Sequence, residues 1–154
     1  MEENTLVIVY SLTGRTKRVA GFIHEAVKGD FIEVELEKPY SKLSSFTKGL
    51  VNIAGGSSPK IKNEIDFSKY TKIYIGAPTW YFTVNPVMAG ILRDNDFSGK
   101  EIYPFYTNEG ARGNSDEKMK KLAPNSTIHD ALEITFVNNK SDEDIKKAVE
   151  SWVK

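Results

Sequence analysis

The chain has 154 residues, with 21 basic and 21 acidic side chains and no cysteine. A chain of this length buries enough surface for one core without disulfide or metal staples, so we expect a single domain over residues 1–154. The lack of cysteine excludes thiolate nucleophiles, iron–sulfur clusters and disulfides, and zero net charge provides no electrostatic attraction to nucleic acid or to an anionic membrane.

The first predicted strand, Leu6–Tyr10, is a continuous apolar run typical of a strand buried on both faces. It is also the longest apolar run of the chain, and its five residues fall far short of the roughly 20 that a membrane helix needs. Glu2 and Glu3 stand where a secretory signal would carry basic residues. We therefore expect no membrane segment and a cytoplasmic protein.

Apolar periodicity along the rest of the chain predicts helices and strands in alternation. The predicted strands are 6–10, 31–37, 72–76, 101–106 and 128–137. The predicted helices are 16–28, 86–92, 115–122 and a last one that Ser141–Asp144 starts and Trp152 ends. The segment 41–62 is irregular, a loop or a short helix in which Phe46, Leu50, Val51 and Ile53 could form one face.

Three local signals bear on how these elements assemble. Strict alternation over 31–37 favours an edge strand with one wet face. Gly29 is expected to end the first helix, and Pro104 is awkward inside a sheet, so the ladder is expected to be incomplete there. Strands that alternate with helices over short links imply an α/β fold, a three-layer, doubly wound parallel sheet with helices on both faces.

The segment Ser11–Thr16 runs from the first strand into the first helix and combines three hydroxyls with a glycine. A helix N-terminus offers free N–H groups and a favourable dipole to an anion, so the segment predicts a phosphate site. The alternative is an ordinary turn with Thr13 as the N-cap. Val9 stands where a nucleotide-triphosphate loop needs glycine, and the G-x-G-x-x-G pattern is missing, so the phosphate of a mononucleotide is favoured.

Two further loops follow the third and fourth strands, where an open parallel sheet binds its ligands. The loop 76–86 contains three consecutive aromatics, Trp80–Phe82, of which at least one is expected at a binding surface. The alternative is that Tyr81 and Phe82 tuck under the loop while Trp80 covers a helix end. The loop 107–114 is polar and contains two glycines. Loops for a phosphate, for a flat ring and for the polar edge of that ring together indicate a site for flavin mononucleotide (FMN).

These motifs resemble those of flavodoxins over nearly the whole chain, from Leu6 to about Trp152. The matching residues are Ser11, Thr13, Gly14 and Thr16 after strand one, Gly76, Pro78 and Trp80 after strand three, Asp96–Lys100 before strand four, and Pro104, Phe105, Thr107 and Gly110 within and after it. The resemblance implies a five-stranded parallel sheet of order 2-1-3-4-5 with FMN at its switch point. Three features depart from the family pattern. Arg15 replaces the usual asparagine, and Asn108 and Glu109 precede Gly110 in a loop that usually has two adjacent glycines. In the loop after strand three, no glycine stands beside the aromatics, where some flavodoxins have one that stabilises the flavin semiquinone.

The expected FMN-binding residues come from all three loops. They are Ser11, Leu12, Thr13, Gly14, Arg15 and Thr16 around the phosphate, Pro78, Thr79, Trp80, Tyr81 and Phe82 beside the ring, and Thr107, Asn108, Glu109 and Gly110 at its polar edge. We expect no metal site. We also expect no catalytic side chain, because outer-sphere electron transfer needs no proton-transfer group. His24 and His129 are expected to lie away from the site.

Three functions are compatible with the sequence. The first is an FMN-binding electron carrier that serves redox partner proteins or a small electron acceptor. The second is an NAD(P)H-linked, FMN-dependent oxidoreductase of quinones or similar acceptors, and the third is a flavodoxin-like binding module that has lost FMN. Zero net charge weakens the first, because dedicated carriers of this family are usually acidic. We expect a monomer or a weak dimer.

Overall fold

The computed structural model of the protein describes residues 4–41 and 43–153; Glu2 and Glu3 lie outside this description. Within the described residues, six strands and five α-helices follow one another, and none of these helices has the length and hydropathy to cross a bilayer. The strands are β1 (Thr5–Val9), β2 (Asp30–Glu33), β3 (Lys72–Pro78), β4 (Glu101–Asn108), β5 (Thr127–Ile128) and β6 (Leu132–Thr135). The helices are α1 (Arg15–Val27), α2 (Ser44–Gly55), α3 (Pro86–Asp94), α4 (Ser115–Leu122) and α5 (Asp142–Trp152).

The strands form one parallel sheet of order β2-β1-β3-β4, with β5 and β6 both paired to β4. This arrangement confirms the predicted fold and its 2-1-3-4-5 order. Successive residues of β1 point to opposite faces of the sheet, and each face carries its own buried cluster. Leu6 and Ile8 pack with apolar residues of α3 and α4, whereas Val7 and Val9 pack with those of α1 and α5.

The prediction of one continuous last strand over 128–137 is wrong. The chain forms two short strands, β5 and β6, separated by residues 129–131. Strand β5 pairs with residues 101–102 of β4 and β6 with residues 105–108, so the ladder on this side of β4 is interrupted at its middle.

Pro104 lies at this interruption. The carbonyls of Ile102 and Asn108 accept hydrogen bonds from the N–H groups of His129 and Phe136, at 2.9 and 2.8 Å, so both carbonyls point toward β5 and β6. The alternation of a strand directs the nitrogen of Pro104 to the same side. Proline lacks the N–H that a continuous ladder would need there, and the expectation of an incomplete ladder is confirmed.

Strand β2 is an edge strand, as predicted, but it is shorter than 31–37. It stands at the end of the strand order and pairs with β1. Its last residue, Glu33, lies opposite Val9, the last residue of β1, so the ladder stops where its partner stops. Beyond it, Leu36 forms an isolated bridge with Ile61.

The prediction that Gly29 ends the first helix is also wrong. Helix α1 ends at Val27, and Lys28 takes a left-handed conformation, φ 69°, with its N–H donating to the carbonyl of His24. Gly29 is needed for a different reason, because a Cβ there would lie 2.2 Å from the carbonyl oxygen of Thr5. The glycine lets the chain pass against β1 on its way into β2.

The irregular segment before β3 contains α2. Its Leu50 and Val51 are largely exposed, so they do not form a buried helical face; the side chain of Phe46 lies outside the described part of the structure. Among the residues of this helix whose burial the structure describes, Gly49 is the buried one, and it faces the indole of Trp80. Helix α2 therefore approaches the fold with its backbone at this position.

Gly76 of β3 lies opposite Phe105 of β4, and a Cβ at position 76 would lie 2.0 Å from a carbon of the phenyl ring. We expect Gly76→Ala to lower the free energy of unfolding by about 1–3 kcal/mol, as overpacking of a core does, measured by urea denaturation. Gly21→Ala is the matched control, because outside the neighbouring backbone of its own helix no atom of the described residues lies within 4 Å of a Cβ at this exposed position of α1. Alanine at position 21 should raise stability by about 0.5–1 kcal/mol through helix propensity. Similar effects of the two substitutions would contradict the packing argument.

Candidate cofactor site

A cavity of about 590 Å³ lies at the carboxyl ends of β1, β3, β4 and β6. Small-molecule sites typically measure ~300–1,000 Å³. The cavity is at the edge where the strand order reverses between β1 and β3, the predicted position for a ligand. Its lining residues are Leu12, Thr13, Arg15, Thr16, Ser45, Pro78, Thr79, Trp80, Thr107, Asn108, Glu109, Val137 and Asn138.

The structure brings most of the predicted site residues, from all three predicted loops, to this one cavity. Ser11 and Gly14 lie in the first loop beside lining residues, and Gly110 follows the lining residues of the third loop. Tyr81 and Phe82 lie outside the cavity wall and are 43% and 64% exposed. The predicted residues therefore divide into a large group that can touch a ligand directly and a smaller group that flanks it.

Sequence reasoning misses three lining residues, Ser45, Val137 and Asn138. The last two follow β6, and the rule that selects the loops after the other strands applies equally to this one. The sequence does not single out these two residues, because the predicted last strand extends through Val137 and so includes the start of this loop. Ser45 lies in the first turn of α2, and no local pattern indicates where that helix packs.

The first loop presents a bare helix start to the cavity. Gly14 is the N-cap of α1, in the left-handed conformation at φ 90°, and no side chain of the described residues caps the helix. The N–H of Gly14 donates to Ser11 Oγ at 3.0 Å. The alternative in which Thr13 is the N-cap is wrong, because the N-cap is Gly14; Thr13 is exposed and lines the cavity. Because the first turn of α1 has no acidic residue, its N–H groups and dipole meet no carboxylate from their own helix.

A buried hydrogen bond joins the first loop to the third. Thr16 Oγ1 and Thr107 Oγ1 lie 2.7 Å apart, and both side chains are buried. Both residues line the cavity, so this bond sets the separation between the start of α1 and the end of β4. A hydroxyl has one donor and two acceptor positions, so hydrogen-bonding capacity remains for a ligand.

Trp80 forms an aromatic wall of the cavity. Its indole meets the rings of Tyr10 and Tyr40 edge-on, with centroids 6.1 and 5.1 Å away, and it contacts α2 at Gly49. Burial, and to a lesser extent the neighbouring Tyr40, raises the pKa of the Tyr10 phenol well above its usual value. The indole is therefore held from behind by packing against neutral aromatic rings.

Tyr81 and Phe82 form the tip of a tight turn closed by a hydrogen bond from the N–H of Thr83 to the carbonyl of Trp80, 3.2 Å long. Both aromatics have positive φ, 52° and 57°, a conformation that is rare for large side chains. The expectation that at least one of the three aromatics reaches the surface is confirmed. The alternative in which these two residues tuck under the loop is wrong.

The third loop is held from two sides. Asn108 Nδ2 donates to Glu133 Oε2 of β6 at 3.0 Å, and Asn108 Oδ1 accepts from the N–H of Gly110 at 3.2 Å. Glu109 accepts from Arg15 Nη1 at 2.5 Å, which ties the loop to the start of α1. The polar side chains of this loop therefore fix its position at the cavity.

An unpaired hydroxyl marks the second loop. Thr79 lines the cavity, and its Oγ1 is buried without a hydrogen-bond partner among the described residues. A buried polar atom left unpaired costs about 1–3 kcal/mol, so a ligand that supplied a partner would gain from it. Thr83 Oγ1 is likewise buried and unpaired, but Thr83 does not line the cavity.

Both histidines lie outside the cavity. His24 Nε2 is 2.8 Å from the carbonyl oxygen of Gly29. His129 Nε2 is 3.1 Å from Glu101 Oε1, and its ring stacks on Tyr103 with centroids 4.1 Å apart. These contacts position neither imidazole for proton transfer to a ligand in the cavity.

Thr16→Val and Thr107→Val each leave one buried hydroxyl without its partner, and we expect each to lower the free energy of unfolding by about 1–3 kcal/mol. The double variant removes both hydroxyls and should lose less than the sum of the two. Urea denaturation without added ligand measures all three variants. Thr13→Val, whose hydroxyl is exposed, is the control and should change stability by less than about 0.5 kcal/mol. Strictly additive losses would show that the two threonines do not interact.

Comparison with solved structures places the fold among flavoproteins. A protein of Bacteroides uniformis ATCC 8492, provisionally described as a flavoprotein, is 25% identical with a TM-score of 0.84, over 97% of this chain and 99% of that one. A similarly described protein of Bacteroides eggerthii DSM 20697 is 24% identical with a TM-score of 0.82, over 99% of this chain and 100% of that one. A flavoprotein of Lactobacillus acidophilus NCFM, solved in complex with FMN, is 21% identical with a TM-score of 0.75, over 99% of this chain and 100% of that one.

A search of curated protein sequences found no match. The model of the flavodoxin family, in contrast, matches residues 4–153, which is nearly the whole chain. Strand order, cavity position and family match all agree with the resemblance seen in the loop motifs. The chain belongs to the flavodoxin family.

Proposed function

We propose that this chain binds FMN in the cavity and acts in electron transfer. One observation carries the proposal: the uncapped start of α1 and the indole of Trp80 border the same cavity. An uncapped helix start favours a phosphate, and an indole offers a flat ring a stacking surface. FMN joins a phosphate to a flat heterocycle, and the L. acidophilus flavoprotein solved with FMN supports this choice.

Each loop has its own part in the proposal. The main-chain N–H groups of Ser11–Thr16, with the hydroxyls of that loop, hold the phosphate. The ring lies beside residues 78–82, with Trp80 as the favoured stacking residue, and its polar edge faces residues 107–110. When bound, the isoalloxazine accepts and gives up electrons, whereas the protein supplies position, stacking and electrostatics.

The electrons pass to redox partner proteins or to a small acceptor. Tyr81 and Phe82 directly follow Trp80 and are exposed, and exposed aromatic side chains next to a site favour contact with another molecule. Holding a non-glycine residue at positive φ costs on the order of 1–3 kcal/mol, and such strain concentrates at functional loops. The strained aromatic turn is therefore the part of the rim best suited to meet a partner.

Charge balance favours a second candidate function. Acidic carriers use their charge to steer toward basic partners, whereas this chain has 21 acidic and 21 basic side chains. An FMN-dependent oxidoreductase that takes hydride from NAD(P)H and reduces a quinone does not need such steering. This function uses the same cavity, but its electron donor is a nicotinamide that gives up hydride and its acceptor is a quinone or a similar small molecule.

We expect the purified protein to bind FMN and to quench its fluorescence. Thr79→Val should weaken binding by ~2- to 13-fold, the range that one neutral hydrogen bond provides. Thr83→Val is the matched control, because its hydroxyl is equally buried and unpaired but does not line the cavity. Both valines should leave the unfolding midpoint of the protein without ligand unchanged or slightly higher, since each removes an unpaired buried hydroxyl.

Two results would contradict the FMN proposal. A colourless protein that fails to quench added FMN fits the third function, a binding module that has lost the cofactor. Equal loss of affinity in the Thr79 and Thr83 variants would show that the cavity hydroxyl does not contact the ligand.

The donor distinguishes the two candidate functions of an FMN-loaded protein. An electron carrier should be reduced by dithionite but should show no steady oxidation of NADPH or NADH with a quinone present. Steady turnover, followed at the nicotinamide absorption band, would favour the oxidoreductase. A Trp80→Ala variant should lose bound FMN, and turnover that persisted in it would place the reaction outside this cavity.

A further inference from the structure

Arg15 directs its side chain across the cavity to two other loops. Its Nη1 donates to Glu109 Oε1 at 2.5 Å. With the amide of Asn138 turned so that its oxygen faces the guanidinium, Arg15 Nε and Nη2 donate to that oxygen at 3.0 and 2.9 Å. We call this set of contacts between Arg15, Glu109 and Asn138 the Arg15 bridge.

The three members of the Arg15 bridge follow three different strands, β1, β4 and β6, and all of them line the cavity. Arg15 and Glu109 also belong to two of the features that depart from the flavodoxin pattern. Taken singly, either departure would place a net charge beside the phosphate loop. The structure places the two charges in contact with each other.

The other cations of the same helix turn are arranged in the same way. Lys17 Nζ lies 2.7 Å from Glu33 Oε2, and Arg18 pairs with Asp142. Cations at a helix N-terminus oppose the dipole, and a carboxylate at each one offsets that cost. The bridge differs from the Lys17 pair in one respect, because Lys17 and Glu33 do not line the cavity.

We propose that Arg15 and Glu109 are a matched positioning pair that closes one side of the cavity while keeping it electrically neutral toward a dianionic flavin nucleotide. The inference rests on the proposed function. Glu109 alone would repel both the phosphate and a negatively charged reduced ring, and Arg15 alone would attract both. In the pair these effects cancel, so the phosphate is held by N–H groups and hydroxyls rather than by a free cation.

The test compares Arg15→Gln, Glu109→Gln and the double variant by FMN fluorescence titration at low salt. We expect R15Q to bind FMN about threefold more weakly and E109Q about threefold more tightly, with the double variant within about twofold of the original chain. The midpoint potential of bound FMN should fall in R15Q and rise in E109Q. Lys17→Gln, which removes a cation whose side chain is outside the cavity, is the matched control and should change affinity less than R15Q does.

Other outcomes would overturn the inference. A double variant as weak as R15Q would show that Arg15 binds the phosphate itself. Tighter binding in both single variants would show that the bridge blocks the cavity.

A ligand-free measurement separates this inference from the proposed function. Urea denaturation of the same variants should give a coupling of ~1.5- to 5-fold in the unfolding equilibrium constant, the range of an exposed ion pair. If the coupling is present but no variant binds FMN, the proposed function and the ligand part of this inference both fail. If FMN binds and the coupling is absent, the inference that Arg15 and Glu109 act as a pair is contradicted, but the proposed function is not.

Discussion

The buried hydrogen bond between Thr16 and Thr107 holds the start of α1 against the end of β4, although the two residues are 91 positions apart in the chain. It can form because β1, β3 and β4 are parallel and in register, so that their carboxyl ends meet at one edge of the sheet. The same alignment brings an uncapped helix, an indole and a polar loop around one volume. Strand register is thus the physical origin of the site, and each loop only adds its own chemistry.

Much of the fold could be predicted because its signals are local. Short β-branched runs indicate β1 and β3, and helical spacing places α4 at the bounds the structure shows. Pro104 of β4 predicts an incomplete ladder, but the residues of the last strand do not themselves indicate that this strand divides in two beside it. The role of Gly29 could not be predicted for a related reason. A glycine after a helix is typical of a helix end, but Gly29 is needed because β1 passes close to its backbone.

In the candidate site, too, features that depend on local sequence could be predicted, and contacts between distant parts of the chain could not. The loops after the strands could be chosen from topology alone, and most of their residues line the cavity. The contact between Arg15 and Glu109, 94 positions apart, could not be foreseen, because the partner of a charged side chain depends on the path of a distant loop. The sequence shows Trp80 as an aromatic in a loop predicted to meet a ligand. Its orientation could not be predicted, because it depends on contacts with Tyr10, Tyr40 and α2, which no spacing rule connects.

Trp80 rests on the bare backbone of Gly49. A Cβ at that position would lie 3.1 and 3.3 Å from two indole carbons, closer than ordinary contact, so a side chain there would press the ring away from α2. Position 49 does not itself border the cavity. A substitution in α2 at this position would therefore move the indole and change the width of the cavity beside Trp80, although no residue that lines the cavity would be altered.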